Sequence, residues 1–536
     1  MKATPGSLAG SDSQDGTVPL PRPLKQKIKD ALVALSLANL CFIKVSFDLL
    51  SEQHRFYDKL LVTPATLLAL LINISSLSLL LWLAIQALRR FPNRWFRLGA
   101  HLCFFLLLLF PLDFIRMQYL IITDYDIFRF FTQPVVAASS LVLLALLVWQ
   151  HQRVAHILAI VTGIFSPLAL LVLAKILLTS CGLLQLKQCT ELPAPPRQLQ
   201  PRRVGQPRVL WIIFDCMDYR LAFEQRPAGV ELAEFDRLKA QSLFSVNAYS
   251  PNCSTIPSMP ALIYGRRIAA ALSDDTCDLT VTWADTGLTT TCTGLPSVFS
   301  EARELGFNTA VVGWAVPYSR MFGQDLNFCE WYPYPPFQPS RAVTLGANLR
   351  QQLFSLGEAF WLRHLFVEVH LESLQMSLAV VTNASFGLTL LHLPAPHRPG
   401  VYLPNQDRLT FLPLMSKVGG YLNNLILADR ELGKLRVALE QAGLAHDTWM
   451  IVSADHSWSE STLYDGRRDT RVPFIVRAPG ADAPIVYAHD FNTVLTHDLI
   501  LALLRNQVTN QENVAEWLDL HRSAKNDNRP PTGEEE

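Results

Sequence analysis

Five long apolar stretches in the first third of the chain constrain its fold more than any other feature of the sequence. They cover residues 31–50, 60–88, 98–120, 134–149 and 156–178. An α-helix needs roughly 20 consecutive apolar residues to cross a bilayer, and all but the fourth stretch reach that length. The sequence therefore predicts an α-helical membrane domain with five transmembrane helices over residues 29–183.

Lys and Arg residues in the connecting segments predict how these helices are oriented. They cluster before the first stretch and after the second, and one follows the fourth: Arg22, Lys25, Lys27, Lys29, Arg89, Arg90, Arg94, Arg97 and Arg153. Because cytoplasmic loops are enriched in Lys and Arg, the N-terminus is predicted to be cytoplasmic. Residues 1–28 are predicted to form a disordered cytoplasmic tail without a cleavable signal peptide. Five crossings place everything after residue 183 outside, and the loss of the fourth would reverse this.

Charged residues within the apolar stretches leave two interpretations open. Lys44 and Asp48 are four residues apart on one helical face, and Asp113 and Arg116 lie near the outer end of the third stretch. Each couple either forms an ion pair that neutralises itself or contacts a lipid headgroup. The second interpretation arises because ionisable groups inside a membrane are costly and are commonly functional.

The rest of the chain has a different pattern. A Pro- and Arg-rich linker over 184–207 precedes a domain predicted over 208–520, and residues 521–536 are predicted to be a disordered tail. Short apolar runs alternate there with helical periodicity, which predicts an α/β domain with a mostly parallel central sheet. The predicted strands are 209–214, 309–312, 388–393, 449–453 and 474–476, and the clearest helix is 419–441. Reactive groups in such sheets gather at the carboxyl ends of the strands.

The charge balance and the cysteine content indicate which partners the chain can bind and which cellular compartment suits it. The chain has 46 Lys and Arg against 46 Asp and Glu, which excludes binding to nucleic acid through bulk charge. Cys181 with Cys189, and Cys277 with Cys292, are close in sequence and are predicted to form disulfides in an oxidising compartment.

Carboxylates and imidazoles stand at three predicted strand ends. Asp215 ends the first strand, and Asp455 and His456 end a later one. Each position is either structural or a ligand for a metal such as Zn²⁺, which both groups suit. His392 and His397 flank a Pro-rich bend at another strand end, and either a structural or a functional role is open for them.

Thr255 begins a predicted helix and also has two interpretations. It is either an N-cap, which stabilises the helix, or a group that presents its hydroxyl to an anion beside the positive helix end. The surrounding segment, from Asn252 to Arg266, contains the sequence N-C-S-T-I-P-S-M-P-A-L-I-Y-G-R.

Together these motifs resemble the alkaline phosphatase/sulfatase superfamily over roughly residues 208–505. The window from Thr255 to Arg266 is similar to the sulfatase signature C-x-P-S-R-x-x-L-x-T-G-R, with Thr255 in place of the Cys. Asp215 matches the first metal-ligand strand of the superfamily, and the pair at 455–456 matches its late Asp-His. The resemblance therefore rests on an ordered set of motifs.

Departures from the superfamily pattern point to one branch. Sulfatases oxidise a Cys or Ser to an aldehyde, whereas Thr255 would yield a ketone. The segment 312–315 lacks the Lys and His of the sulfatase G-K-W-H motif. No Asp occurs between Asp325 and Asp407, so the second metal site of two-zinc phosphatases cannot be assembled in the usual way. A Thr nucleophile with one metal remains.

This combination behind membrane helices resembles bacterial phosphoethanolamine transferases and the lipoteichoic acid synthase/phosphoglycerol transferase family. The segments 392–397 and 255–260 look like their L-H-x-x-G-x-H-G-P and T-A-x-S-V-P motifs. Two positions depart from the pattern. Ser457 follows the Asp-His pair where the family has Gly, and Arg468 stands where a His is expected.

The resemblance implies a multi-pass protein of the bacterial inner membrane whose periplasmic domain transfers a phospho-headgroup. The expected ligands of one Zn²⁺, or of another divalent cation such as Mn²⁺, are Asp215, Thr255, Asp455 and His456. The expected catalytic residues are Thr255 and His397, and the expected substrate-binding residues are His392, His397 and Arg468. Phosphoethanolamine or phosphoglycerol is expected to pass from a membrane phospholipid through phospho-Thr255 to a lipid or glycan hydroxyl.

Two alternatives accompany this interpretation. The domain could be a phosphodiesterase or another hydrolase of the same superfamily, with water as the acceptor. It could also be a catalytically inactive membrane protein that serves in assembly, since Ser457 and the missing Lys and His depart from active relatives. Nucleic acid is not an expected partner, and the sequence does not indicate the oligomeric state.

Overall fold

The computed structural model describes most of the chain outside its two ends. The described residues are 24–51, 55–59, 61–90, 93–120, 122, 124–189, 199–203, 205–273, 277–335, 342–412 and 416–522. The predicted N-terminal tail up to residue 23, part of the predicted linker, and the predicted C-terminal tail beyond residue 522 lie outside these residues.

Helices form the N-terminal region. They are α1 (Leu24–Cys41), α2 (Ile43–Leu50), α3 (Pro64–Arg90), α4 (Arg94–Leu107), α5 (Leu109–Gln118), α6 (Asp124–Phe131), α7 (Pro134–Trp149), α8 (His151–Ile164) and α9 (Ser166–Ser180). Most of these helices fall within the predicted apolar stretches, so the membrane domain is helical as predicted.

Two helical spans are long and apolar enough to cross a membrane, namely α3 and the continuous α4–α5 unit over Arg94–Gln118. Two further pairs meet the criterion only if each bent pair counts as one span: α1 with α2, bent by 66°, and α7 with α8, bent by 87°. Two to four apolar spans are thus found among the described residues, and the predicted five are not confirmed. The predicted stretch 156–178 is divided at Phe165, because Pro167 in the first turn of α9 cannot continue α8.

The charged couples in the membrane helices form ion pairs. Lys44 Nζ lies 3.1 Å from Asp48 Oδ2, and Arg116 Nε donates to Asp113 Oδ1 at 2.8 Å. The sequence leaves open an ion pair or a contact with a lipid headgroup, and the structure shows an ion pair at both places.

The C-terminal domain is built on an eight-stranded sheet. Its strands are β1 (Arg208–Asp215), β2 (Leu243–Ser245), β7 (Asn308–Trp314), β8 (Phe328–Tyr332), β9 (Phe386–Pro396), β12 (Thr448–Ala454), β13 (Phe474–Arg477) and β14 (Ile485–Tyr487). They lie side by side in the order β14-β2-β13-β12-β1-β9-β7-β8. Strands β12, β1, β9, β7 and β8 are parallel, and β13 is antiparallel to both of its neighbours. The predicted mostly parallel sheet and its five predicted strands are confirmed.

Smaller sheets lie around this one. Strands β4 (Ile268–Ser273), β5 (Leu279–Trp283) and β6 (Thr289–Thr291) form an antiparallel sheet. Strands β3 (Ala248–Tyr249) and β15 (Phe491–Asn492) pair with each other, as do β10 (Tyr402–Leu403) and β11 (Arg408–Leu409).

Helices cover both faces of the main sheet. The helices of the domain are α10 (Ala233–Lys239), α11 (Thr255–Tyr264), α12 (Val298–Glu304), α13 (Tyr318–Phe322), α14 (Leu345–Phe354), α15 (Glu358–Val381), α16 (Lys417–Gln441), α17 (Thr462–Asp465), α18 (Thr496–Leu504) and α19 (Gln511–His521). Alternate residues of β1 enter two separate cores: Trp211 packs with α11, α12 and α18, and Ile212 packs with α10, α15 and α16. Burial on both faces explains why this strand is a continuous apolar run.

Polar contacts join the two regions of the chain. Arg320 of α13 is buried and donates to the backbone carbonyls of Arg55, Phe56, Asp58 and Cys189. Along α3, Asn73 donates to Gln352 Oε1 of α14 at 3.1 Å. Lys59 pairs with Glu330 of β8. The helical region and the α/β domain therefore pack directly against each other.

The disulfide in the structure differs from the two predicted ones. Cys189 is bonded to Cys277, which is 88 residues away in sequence, and Cys181 and Cys292 are free. The predicted pairing was wrong because it assumed that cysteines close in sequence meet. The fold instead brings Cys189, which follows the membrane helices, against the segment just before β5.

Candidate active site

The carboxyl ends of β1, β9 and β12 bring together most of the predicted site. Asp215 is the last residue of β1, and Asp455 and His456 directly follow β12. The parallel register pairs Phe214 with Ala454, so Asp455 comes level with Asp215. His392 lies on β9 beside Ile213 of β1.

Three buried side chains at this edge could hold a metal ion. Ligand atoms of Asp215, His392 and Asp455 all lie within 4.8 Å of one another. His392 Nε2 and Asp455 Oδ2 are buried and have no hydrogen-bond partner among the residues that the structure describes. Buried polar atoms are normally paired, so two unpaired atoms in one cluster fit a cation placed between them. Carboxylates and imidazole are suitable ligands for Zn²⁺.

His456 extends this cluster. Its Nε2 lies 3.5 Å from Asp215 Oδ1 and 3.5 Å from Asp455 Oδ2, and its Nδ1 lies 2.8 Å from the Ser457 carbonyl oxygen. Because a carbonyl only accepts, Nδ1 carries the proton there, and Nε2 is directed at the two carboxylates. The candidate metal site thus contains three of the predicted ligands together with His392, which the resemblance assigns to substrate binding.

Neighbouring groups fix the orientation of these side chains. Trp314, at the end of β7, donates its indole N–H to Asp215 Oδ2. Asp455 Oδ1 accepts from the backbone N–H groups of Cys216 at 3.0 Å and His456 at 2.8 Å. The Tyr318 hydroxyl lies 2.8 Å from His392 Nδ1, which leaves Nε2 to face the cluster. Contacts of this kind hold metal ligands in a defined position.

The two carboxylates differ in their proton affinity. Burial and the nearby charge of Asp455 raise the pKa of Asp215 well above its usual value. Burial acts in the same direction on Asp455, but the charges of His456 and His392 outweigh it and lower the pKa of that carboxyl. Two buried carboxylates this close repel each other when both are ionised. A divalent cation would remove that repulsion.

Thr255 lies at the same edge. It is the first residue of α11, and its Oγ1 is 3.3 Å from His456 Nε2 and 3.5 Å from Asp215 Oδ1. The N-cap position belongs to Ser254, whose side chain is exposed and makes no capping bond. The N-cap interpretation of Thr255 is therefore wrong, and its hydroxyl is directed at the candidate metal ligands.

His397 lies next to Trp314, whose indole donates to Asp215. Its ring packs against those of Trp314 and Tyr334, with centroids 6.3 and 5.7 Å away. Burial and then the positive charge of Arg398 lower the pKa of His397 to about 3, so the imidazole is neutral near pH 7. Its Nδ1 donates to the Arg398 carbonyl oxygen, which leaves Nε2 as a proton acceptor.

Two arginines differ in how they relate to the sequence prediction, since only Arg468 was expected to bind substrate. Arg468 is exposed in the segment between α17 and β13. Arg398, which sequence reasoning did not select, follows His397 directly. Trp314 and Tyr318 were also missed, although the position of Trp314 at the end of a predicted strand was a usable signal.

This α/β domain, with carboxylates and imidazoles gathered at the carboxyl edge of a mostly parallel sheet, is that of a metal-dependent hydrolase or transferase. The family model described as Sulfatase matches residues 207–506. The chain belongs to the sulfatase family. No curated protein sequence matches it significantly.

The chain is also similar to solved structures at low sequence identity. The crystal structure of Ps i-CgsB is 15% identical with a TM-score of 0.41, covering 61% of this chain and 78% of that one. An alkaline phosphatase superfamily protein of Vibrio parahaemolyticus is 13% identical with a TM-score of 0.38, covering 59% and 72%. The phosphonate monoester hydrolase of Silicibacter pomeroyi is 15% identical with a TM-score of 0.37, covering 61% and 78%.

Proposed function

We propose that this protein is a membrane-bound, metal-dependent transferase that moves phosphoethanolamine or phosphoglycerol from a phospholipid to a lipid or glycan hydroxyl. The observation that carries the proposal is the Thr255 hydroxyl, 3.3 Å from His456 Nε2 and beside the candidate metal ligands. A Thr at this position does not suit the oxidised nucleophile of sulfatases, but it suits an ester intermediate on its oxygen.

The residues at the sheet edge have defined tasks in this reaction. Asp215, His392, Asp455 and His456 would hold one Zn²⁺ or another divalent cation such as Mn²⁺. Bound there, the ion would supply positive charge that favours ionisation of the Thr255 hydroxyl near neutral pH. Thr255 Oγ1 then forms a bond to the phosphorus of the donor. The bond from phosphorus to diacylglycerol breaks, and the departing oxygen takes up a proton.

The second step returns Thr255 to its starting state. An acceptor hydroxyl loses its proton and bonds to phosphorus, while the bond from phosphorus to Thr255 Oγ1 breaks and Thr255 regains a proton. His397 Nε2 is a proton acceptor at neutral pH, because Nδ1 is engaged with the Arg398 carbonyl. His397 is therefore better suited to deprotonating the acceptor than to protonating diacylglycerol.

The proposed setting is the bacterial inner membrane, with the α/β domain in the periplasm. The apolar helices of the N-terminal region support membrane anchoring. The Cys189–Cys277 disulfide supports export, since disulfides persist mainly in oxidising compartments. A domain packed on membrane helices would hold Thr255 close to the leaflet that provides the donor lipid.

Incubation of the purified full-length protein with a headgroup-labelled phospholipid tests the proposal. With the lipid alone, mass spectrometry should find a headgroup-phosphate adduct on the peptide that contains Thr255. With an acceptor present, the label should move to that acceptor. Rapid release of free headgroup without an acceptor would favour a hydrolase, and the absence of both adduct and turnover would favour an inactive assembly protein.

A further inference from the structure

A second group of charged residues lies close to His397, where the α/β domain meets α6 of the helical region. Arg398, which follows His397, places its Nη1 3.6 Å from Glu460 Oε1. Lys417, the first residue of α16, places its Nζ 3.1 Å from the same oxygen. Lys417 Nζ also lies 3.8 Å from Asp126 Oδ2 of α6.

Two cations that converge on one carboxylate oxygen define a point where an anionic oxygen can sit. Glu460 Oε1 occupies that point in this structure. A phosphodiester has two non-bridging oxygens, so it could accept from the Arg398 guanidinium and the Lys417 ammonium together. The side chain of Arg398 is 57% exposed, so a ligand that arrives from outside can reach it.

The position of this group connects it to the candidate metal site. Arg398 is adjacent in sequence to His397, whose ring contacts those of Trp314 and Tyr334. Burial raises the pKa of Tyr334, and the positive charge of Arg398 opposes that rise. The Arg398 guanidinium is therefore close enough to interact electrostatically with Tyr334. A phosphate held by Arg398 would thus be near His397 and Trp314, and the Trp314 indole donates to Asp215 of the candidate metal site.

The position of α6 indicates that the anion is carried by a lipid. This helix lies between the apolar helices α5 and α7, and three of its aromatic side chains are exposed: Phe128, Phe130 and Phe131. A helix with exposed aromatic groups beside membrane spans suits the membrane interface. Asp126, on the same helix, places Lys417 next to that interface.

We propose that Arg398 and Lys417 form the entry site for the phosphate of the donor lipid, and that Glu460 is the carboxylate which this phosphate displaces. The inference rests on the proposed function, because it assigns a donor-binding role to residues next to His397. Arg398 and Lys417 thereby replace Arg468, the residue expected from the sequence, as the main cationic contacts of the donor phosphate.

Binding can be measured apart from catalysis in the full-length Thr255→Ala protein, which cannot form the covalent intermediate. The probe is dihexanoylphosphatidylglycerol, titrated by calorimetry in detergent, with inorganic phosphate titrated separately. Arg398→Gln should weaken lipid binding about tenfold, because one charge-assisted contact is lost. Glu460→Gln should strengthen binding about threefold, because the competing carboxylate is neutralised. Arg408→Gln, a change to another exposed arginine, should leave binding unchanged.

Several outcomes would overturn the inference. Unchanged lipid affinity in Arg398→Gln would remove Arg398 from the site. Weaker binding in Glu460→Gln would mean that Glu460 itself recognises a ligand. Equal affinity for inorganic phosphate and the lipid would assign the site to soluble phosphate. A missing Thr255 adduct combined with Arg398-dependent lipid binding would overturn the transferase proposal alone, and the reverse combination would overturn this inference alone.

Discussion

Two buried carboxylates, one in each region of the molecule, differ in how their oxygens are used. Asp30 of α1 is 4% exposed and accepts from Gln26, Gln86 and Arg89, so both of its oxygens are paired. Asp455, after β12, is fully buried, and within the described part of the chain its Oδ2 has no hydrogen-bond partner. Burying a carboxylate without compensation is expensive. The paired group therefore suits a structural role, and the unpaired one suits a ligand.

The same contrast extends beyond these two residues. At the junction of the two regions, the two terminal nitrogens of Arg320 donate to four backbone carbonyls. At the sheet edge, the unpaired atoms of His392 and Asp455 converge within one cluster beside Thr255. If the contrast is correct, changes at the junction should reduce stability, and changes at the sheet edge should reduce metal content and activity.

The largest expected effect is that of Thr255→Ala on transfer. Thr255 makes no capping bond, so its removal should leave the unfolding midpoint within a degree or two of the wild type. Transfer should fall by about a thousandfold or more, because the oxygen that lies beside Asp215 and His456 and forms the covalent intermediate is removed. Initial rates with labelled lipid and thermal unfolding of the same samples measure both quantities. A rate near that of the wild type, or a loss matched by unfolding, would contradict the assignment.

The next largest effect is expected on the amount of bound metal. The wild type should contain about one divalent cation per chain, and Asp455→Asn should lose most of it, because one ligand of a small set is removed. His392→Ala should have the same effect if the geometry is right, whereas the sequence-based ligand set excludes His392. Elemental analysis of dialysed protein measures the content, and Asp30→Asn is the matched control. Full occupancy in His392→Ala would restore the sequence-based set.

The sequence was sufficient for features that depend on local pattern. Continuous apolar runs predicted all five central strands, because strands buried on both faces leave no polar alternation. Asp215, Asp455 and Thr255 were found because each stands at the end of a strand or the start of a helix. Pro167 marks the break before α9, but the apolar composition of residues 156–178 led to the prediction of one continuous helix there.

Features that depend on the approach of distant segments were not predictable in this way. His392 joins the metal cluster because the register between β9 and β1 places it there. The Cys189–Cys277 disulfide and the contact between Arg398 and Glu460 join segments that are far apart in sequence. Pattern alone gives the residue types at such places but not their partners.

A smaller effect is expected at the junction of the two regions. Arg320→Ala would leave four carbonyl oxygens without their donor, three of them in the segment before α3. Buried acceptors that lose their partner cost about 1–3 kcal/mol each, and partial relaxation makes a total of about 3 kcal/mol reasonable. Denaturant unfolding in detergent measures the change, with Arg408→Ala as the exposed control. Metal content should remain at the wild-type level, and its loss would contradict the separation of roles.

The smallest expected effect is a pH dependence of stability at the same junction. Asp58 is buried beside Arg55, with a contact of 3.0 Å. Burial raises the pKa of Asp58 from 3.8 to about 7, although the charge of Arg55 opposes this rise. The folded protein therefore keeps this proton up to about pH 7, whereas the unfolded chain releases it near pH 4.

The free energy of unfolding falls as the pH rises because the folded protein binds this proton more tightly than the unfolded chain does. The contribution of Asp58 to stability is fully present below pH 4 and is lost as the pH rises through about 7. Between pH 5 and 8 the free energy of unfolding should fall by about 2–3 kcal/mol from this group. Asp58→Asn should flatten that part of the profile, because the group that titrates is removed. Since the charge of Arg320 lowers the pKa of Asp58, Arg320→Ala should shift the decline to higher pH. Equal slopes in the wild type and Asp58→Asn would show that Asp58 is ionised in the folded protein, and that its pairing with Arg55 outweighs its burial.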